Sequence, residues 1–188
     1  MQLEASDQSA TARVAQRSEV EWFEGLFRRY EQPLGRFLAQ MTRNSHLADD
    51  LLQETFATAY RSRREVPPAD EIERWLFAIA RNRALHALRG LRRGREAMAR
   101  LRCSFGADRR MPDGEALAIR DLLVKTLAPE DRSLFILRYV HGFTSRDLAE
   151  MTGLSPDAVR QRLSRAAARL AAAYDDAHCD DPQGKGDR

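Results

Sequence analysis

Only two cysteines, Cys103 and Cys179, occur in 188 residues, with no C-x-x-C spacing and no matching histidine cluster. That excludes a disulfide framework and a cysteine-based zinc site, and no metal is expected. Lysine is equally scarce: of 31 basic residues, all but Lys125 and Lys185 are arginine. Arginine's planar fork suits phosphate and guanine, but a G- and C-rich genome produces the same bias, so little functional weight rests on it. No run of about 18 apolar residues exists, and the polar N-terminus lacks the apolar stretch of a signal peptide; membrane insertion and export are not expected, and a cytoplasmic location is. Alternating strand patterns bounded by turn pairs are missing too, which leaves an all-α fold. Finally, the chain has no nucleophile set, paired acid and base, phosphate loop or metal constellation, so neither enzymatic activity nor a cofactor is expected.

What is present is a core-forming composition, 43% hydrophobic and 31% charged, with a strong internal polarity beneath a net charge of only +3. From Arg74 to Arg110 there are eleven arginines against Glu96 and Asp108, whereas Asp175, Asp176, Asp180, Asp181 and Asp187 make the end acidic. A basic middle of this kind marks where nucleic acid can lie.

The apolar spacing divides the chain into two small helical domains joined by a flexible linker. Residues 1–18 lack apolar period and read as a disordered leader. A first domain, 19–95, opens with Phe23, Leu26, Phe27 and Tyr30 on one helical face, continued past Pro33 by Leu34, Phe37, Leu38 and Met41. A second helix, from about His46 to Arg61, carries Leu47, Leu51, Phe56, Ala59 and Tyr60. Pro67-Pro68 ends a loop, and a third helix begins near Asp70-Glu71 with Ile72, Trp75, Leu76 and Ile79. Glycines and Pro112 mark a linker over 96–112. A second domain, 113–174, follows, and 175–188 is an acidic tail.

The second domain ends in a helix-turn-helix. Thr144 caps a short helix with Asp147 three residues on, Gly153 supplies a positive-φ exit, and Ser155-Pro156 caps and opens the next helix. Val159, Leu163, Ala166, Ala167 and Leu170 face a core, which leaves Asp157, Arg160, Gln161, Ser164 and Arg165 outward. Arginine and glutamine suit base edges in a major groove, and serine and further arginines suit phosphates.

Four blocks then come in one order: Asp50-Leu51-Leu52-Gln53-Glu54-Thr55-Phe56; Trp75-Leu76-Phe77-Ala78-Ile79-Ala80-Arg81-Asn82; Leu127-Ala128-Pro129-Glu130-Asp131-Arg132; and the helix-turn-helix. Together they resemble the extracytoplasmic-function (ECF) sigma factors of the sigma-70 family, over residues from about 20 to 174. The resemblance implies an alternative sigma factor that binds core RNA polymerase, directs it to promoters through −35 and −10 elements and promotes DNA opening. It implies that Asp50, Leu51, Gln53 and Glu54 contact the β′ clamp helices. It also implies that Arg63, Arg64, Arg81, Asn82, Arg83 and Arg89 hold the −10 element as single strand, with Asn82 beside the flipped base. Ser155, Asp157, Arg160, Gln161, Ser164, Arg165 and Arg169 are implied to engage the −35 duplex, Arg160 and Gln161 at bases and Ser164, Arg165 and Arg169 at phosphates. An anti-sigma factor is an implied partner. His86, where many relatives carry aspartate, reads as a surface residue, and Trp75 as core before stacking platform. The competing readings are a stand-alone helix-turn-helix regulator, which would bind palindromic duplex without polymerase, and an RNA-binding adaptor using the basic middle.

Overall fold

The computed structural model describes residues 2–100 and 115–179, with side chains over 20–93 and 121–176. The expected linker from residue 101 onward, with Cys103, and the tail beyond Cys179 lie outside the described residues. Within them the chain is helical throughout, in seven α-helices and one 3-10 turn, with no strand.

The first unit is α1 (Gln2–Thr42), α2 (Ser45–Arg61) and α3 (Ile72–Arg100), with the 3-10 turn Arg63–Glu65 before α3. Three boundaries differ from expectation. Helix α1 begins at Gln2 and not near residue 19, because residues 2–18 contain neither glycine nor proline to stop it. It also runs through Pro33 without restarting. Helix α3 continues to Arg100, past the expected end of the domain at residue 95. Between α1 and α2 the chain turns in two residues. Arg43 adopts φ 57°, and the Asn44 side chain accepts from the Leu47 N–H at 3.0 Å, satisfying an otherwise orphaned donor.

The second unit is α4 (Glu115–Thr126), α5 (Pro129–Tyr139), α6 (Ser145–Thr152) and α7 (Pro156–Cys179). Each punctuation mark read in the helix-turn-helix has its structural counterpart. Thr144 and Asp147 form a reciprocal capping box, Gly153 closes α6 at φ 70°, and Ser155 Oγ accepts from the Ala158 N–H at 3.1 Å. Helix α7 extends five residues into the segment assigned to the tail.

The two units share one core. Leu34, Phe37, Phe77 and Leu76 of the first are fully buried together with Leu134, Leu137, Leu148 and Val159 of the second. Helix α5 packs on α1 and α3, and α6 packs on α3. At the seam the Phe77 ring meets Phe143 at 5.2 Å and His141 at 4.7 Å between centroids, while Phe37 meets Phe77 at 5.7 Å. Edge and tilted arrangements of this kind add to the burial of the rings.

Candidate nucleic-acid interface

Helix α2 divides cleanly into faces. Ala48, Leu51, Thr55, Phe56 and Ala59 point inward, and Thr55 neutralises its own hydroxyl by donating to the Leu51 carbonyl at 2.7 Å. Asp50, Gln53 and Glu54 lie on the open edge, with Ala57 and Arg61 a turn later. Leu51 must therefore be removed from the expected surface contacts: it is 3% exposed and belongs to the core. Its neighbour Leu52 is half-buried and borders the open edge instead.

The cationic side of the first unit is built on α3 and the turn before it. Asn82 and Arg64 are exposed. Arg63 lays its guanidinium over the Tyr60 ring at 4.7 Å and donates to the Tyr60 carbonyl at 3.3 Å. Tyr60 is 38% exposed, with its ring in contact with Arg63 and, at 5.2 Å between centroids, with Phe23, so it belongs to the basic turn as well as to the apolar stripe. Arg83 reaches back to α2, donating to Thr58 Oγ1 at 2.9 Å and lying 3.8 Å from Glu54, so the acidic edge and the basic helix are coupled.

Arg81 is closed off from solution, whereas Arg89 is exposed but already paired. Arg81 is 8% exposed and donates from Nε to Ser133 Oγ at 2.9 Å; burial holds its guanidinium pKa below the ordinary value. Arg89 pairs with Glu130 at 3.3 Å. Both partners belong to the N-terminal half of α5, a segment whose sequence marks only a helix start. His86 is exposed, as expected of a surface residue, and Trp75 packs partly buried against the core.

On α7 every expected contact is exposed: Ser155, Asp157, Arg160, Gln161, Ser164, Arg165 and Arg169. Asp157 and Arg160 pair with each other one turn apart. Arg165 donates to the Gln161 carbonyl at 3.3 Å. Arg162 and Arg169 each stand 3.6 Å from Asp131, so the start of α5 is tied to the flank of α7. Between them lies a cleft lined by Glu130, Asp131, Arg162, Arg165 and Arg169. The outward row offers side-chain donors and acceptors at one helical pitch, the arrangement that a major groove accommodates. Among the described residues no cluster of metal-ligating side chains occurs and no helix is long and apolar enough to cross a membrane.

Comparison with known proteins agrees with this division. The family model for sigma-70 region 2 matches residues 26–94, and that for sigma-70 region 4 matches residues 121–170. RNA polymerase sigma factor CarQ of Myxococcus xanthus is 35% identical over 150 residues, covering 79% of this chain and 86% of that protein. Among solved structures, CnrH in complex with the cytosolic domain of CnrY aligns with TM-score 0.62 at 28% identity, covering 82% of this chain and 88% of that one. The sigma factor RpoE in complex with the anti-sigma factor NepR from Bartonella quintana aligns with TM-score 0.69 at 24% identity, covering 81% and 96%, a likeness of fold.

Proposed function

The chain belongs to the sigma-70 family, in its extracytoplasmic-function branch, and as an alternative sigma factor it directs RNA polymerase to promoters; from that premise we propose a division of labour among its surfaces. Asp50, Gln53 and Glu54 on α2 form the contact with the β′ clamp helices of core polymerase, with half-buried Leu52 supplying apolar area where Leu51 cannot. A compact acidic and amide edge pairs with basic side chains and fixes orientation, while the leucine contributes burial. Arg63, Arg64, Asn82, Arg83 and Arg89 hold the −10 strand, whereas Arg81, buried and bonded to Ser133, is removed from the expected track. Flipping a base costs on the order of a few kcal/mol, which a cationic track offsets by favouring the extruded strand.

The −35 duplex is read by α7. Arg160 and Gln161 face base edges, Ser155 and Asp157 set the first turn, and Ser164, Arg165 and Arg169 hold phosphates. Sigma factors are non-catalytic initiation factors; this chain works in the cytoplasm beside polymerase, which supplies the chemistry. We further propose an anti-sigma partner, since RpoE was solved with one bound.

The observation that carries this reading is the simultaneous exposure of the acidic α2 edge and the polar α7 row on one chain. Transcription in vitro with purified core polymerase and a genomic template library tests it. The wild-type chain is expected to start transcripts from a defined promoter set, and Glu54→Lys to lower core binding at least about tenfold with helix content unchanged. Promoter-independent binding to palindromic duplex, or full activity of E54K, overturns it.

A further inference from the structure

Arg162, Arg165 and Arg169 recur along the side of α7 that borders the start of α5, at intervals of three and four residues that set them one above another on a helix. Arg160 and Ser164 lie well round the helix from that side. A long arginine samples many rotamers in solution, and immobilising it on binding costs affinity unless the side chain is already in place. The flank of α7 shows two ways of placing it. Arg165 donates from Nε to the Gln161 carbonyl at 3.3 Å, one turn back on its own helix. Arg169 is held from across the cleft: its Nη1 stands 3.6 Å from Asp131 Oδ2, and the Arg162 Nη1 stands 3.6 Å from Oδ1 of the same carboxylate. The Asp131 side chain is 21% exposed against 55% for Arg169, so the anchor is recessed and the head it holds is open.

We infer that Asp131 is a positioning residue for −35 recognition: its carboxylate fixes Arg169 on the flank of α7, so that the guanidinium meets the DNA backbone already in place. The inference rests on the phosphate role given above to Arg169. The geometry makes the carboxylate a strut and not a competitor for DNA. It approaches each arginine through a single nitrogen, and a guanidinium carries five N–H donors, so most remain for phosphate oxygens. At 3.6 Å, and shared between two arginines, it is a looser pairing than the bidentate one that a phosphate offers. Two guanidinium charges on one carboxylate also leave the site cationic. Asp131 has its own reason to stay in place. It lies in the first turn of α5, where the helix dipole favours a carboxylate, and its neighbour Glu130 is engaged with Arg89 instead.

The electrostatic and positional roles of this carboxylate differ in sign. A negative charge close to DNA repels it, so loss of the charge alone tightens binding, whereas loss of a strut weakens it. Asp131→Asn decides between them, since asparagine keeps the size of the side chain and removes the charge-assisted tie.

The test uses holoenzyme reconstituted from the full chain and core polymerase, bound to a duplex fragment carrying a promoter recovered from the template library. Affinity is measured at low temperature over a series of salt concentrations. D131N is expected to weaken binding about fivefold and to lower the salt slope by about 1, with base preference in randomised −35 duplexes unchanged. Asp131→Glu, which keeps the carboxylate and suits a helix start, is expected to bind within about twofold of the wild-type chain, and D131N in the R169A background to change affinity less than about twofold. Tighter or unchanged binding by D131N, or an equal loss when Arg169 is already absent, overturns the strut. A D131N loss that follows a fall in the urea midpoint and is not recovered by D131E overturns it as well.

Arg169→Ala alone separates this inference from the assignment beneath it. If R169A weakens duplex binding while D131N does not, the phosphate contact stands and the strut alone falls; if R169A leaves affinity and salt slope unchanged, both fall.

Discussion

His141 is surrounded by the rings of Phe37 at 5.9 Å and Phe77 at 4.7 Å, and its Nε2 is enclosed without a partner. Burial, aided by the nearby Arg36 guanidinium, holds the imidazole down to about 4 from an ordinary 6.5. In the unfolded chain it titrates normally, so the neutral ring supports the packed seam fully above about pH 6.5, and that contribution is lost as pH falls toward 4. The charged groups of the same cleft are Asp70, Glu73, Arg74 and Asp147. Partial burial would raise the Asp147 carboxyl, but hydrogen bonds from Thr144 and Arg74 outweigh it and keep it below its usual range. Acidification from pH 6.5 to 4 is therefore expected to speed amide exchange across the seam, and His141→Gln to flatten that slope. On α7, Arg160→Ala should relax base preference at one −35 position, costing about 1–3 kcal/mol there, whereas Arg165→Ala should weaken all sequences alike and reduce the salt slope. Selection from randomised −35 duplexes, repeated at two salt concentrations, distinguishes the two.

At the level of elements, the second unit follows its local punctuation closely. Gly153 has φ 70°, and a Cβ added there would meet nothing within 4 Å, so Gly153→Ala should cost roughly 1 kcal/mol through backbone conformation alone. Thr144→Ala removes the acceptor for the Asp147 N–H and should cost about 1 kcal/mol; chemical denaturation of each variant measures both. Signals of this kind are legible because a cap or a left-handed exit depends on residues within four positions. Face assignment was legible as well, but only when followed to the residue. Ala48, Leu51, Thr55 and Ala59 recur at intervals that place Leu51 inside, and the family resemblance drew it outward against that spacing. Helix ends were less legible. Nothing in residues 2–18 marks a core-facing stripe, yet α1 includes them, and α3 passes its expected end because Glu96, Ala97, Met98, Ala99 and Arg100 are all good helix formers.

At the scale of the whole molecule, the contact between units escaped the sequence. Arg81 and Arg132 look like solvated cations, and burying such a group is so rare without a partner that its partner must be known first. Those partners lie 52 and 91 residues away, where no local pattern reaches. Phe77 shows what the contact means for stability. It is fully buried and touches Phe37 on one side and His141 and Phe143 on the other. Phe77→Ala is expected to cost about 3–5 kcal/mol and to lower the urea midpoint of both units together, in one transition followed by circular dichroism. Two transitions, with the second unit unmoved, would contradict a common core.

The seating of α5 on α1 and α3 also bears on how readily such proteins exchange parts. Promoter preference is carried on α7, which suggests that transplanting a relative's reading head onto this scaffold would retarget it. A donor head arrives with its own counterparts of Glu130, Arg132 and Ser133, cut to fit a different host. Grafts that retain the native Pro129–Tyr139 helix should keep its packing on α1 and α3 along with new specificity, whereas wholesale replacement should yield hybrids whose two units fit each other poorly.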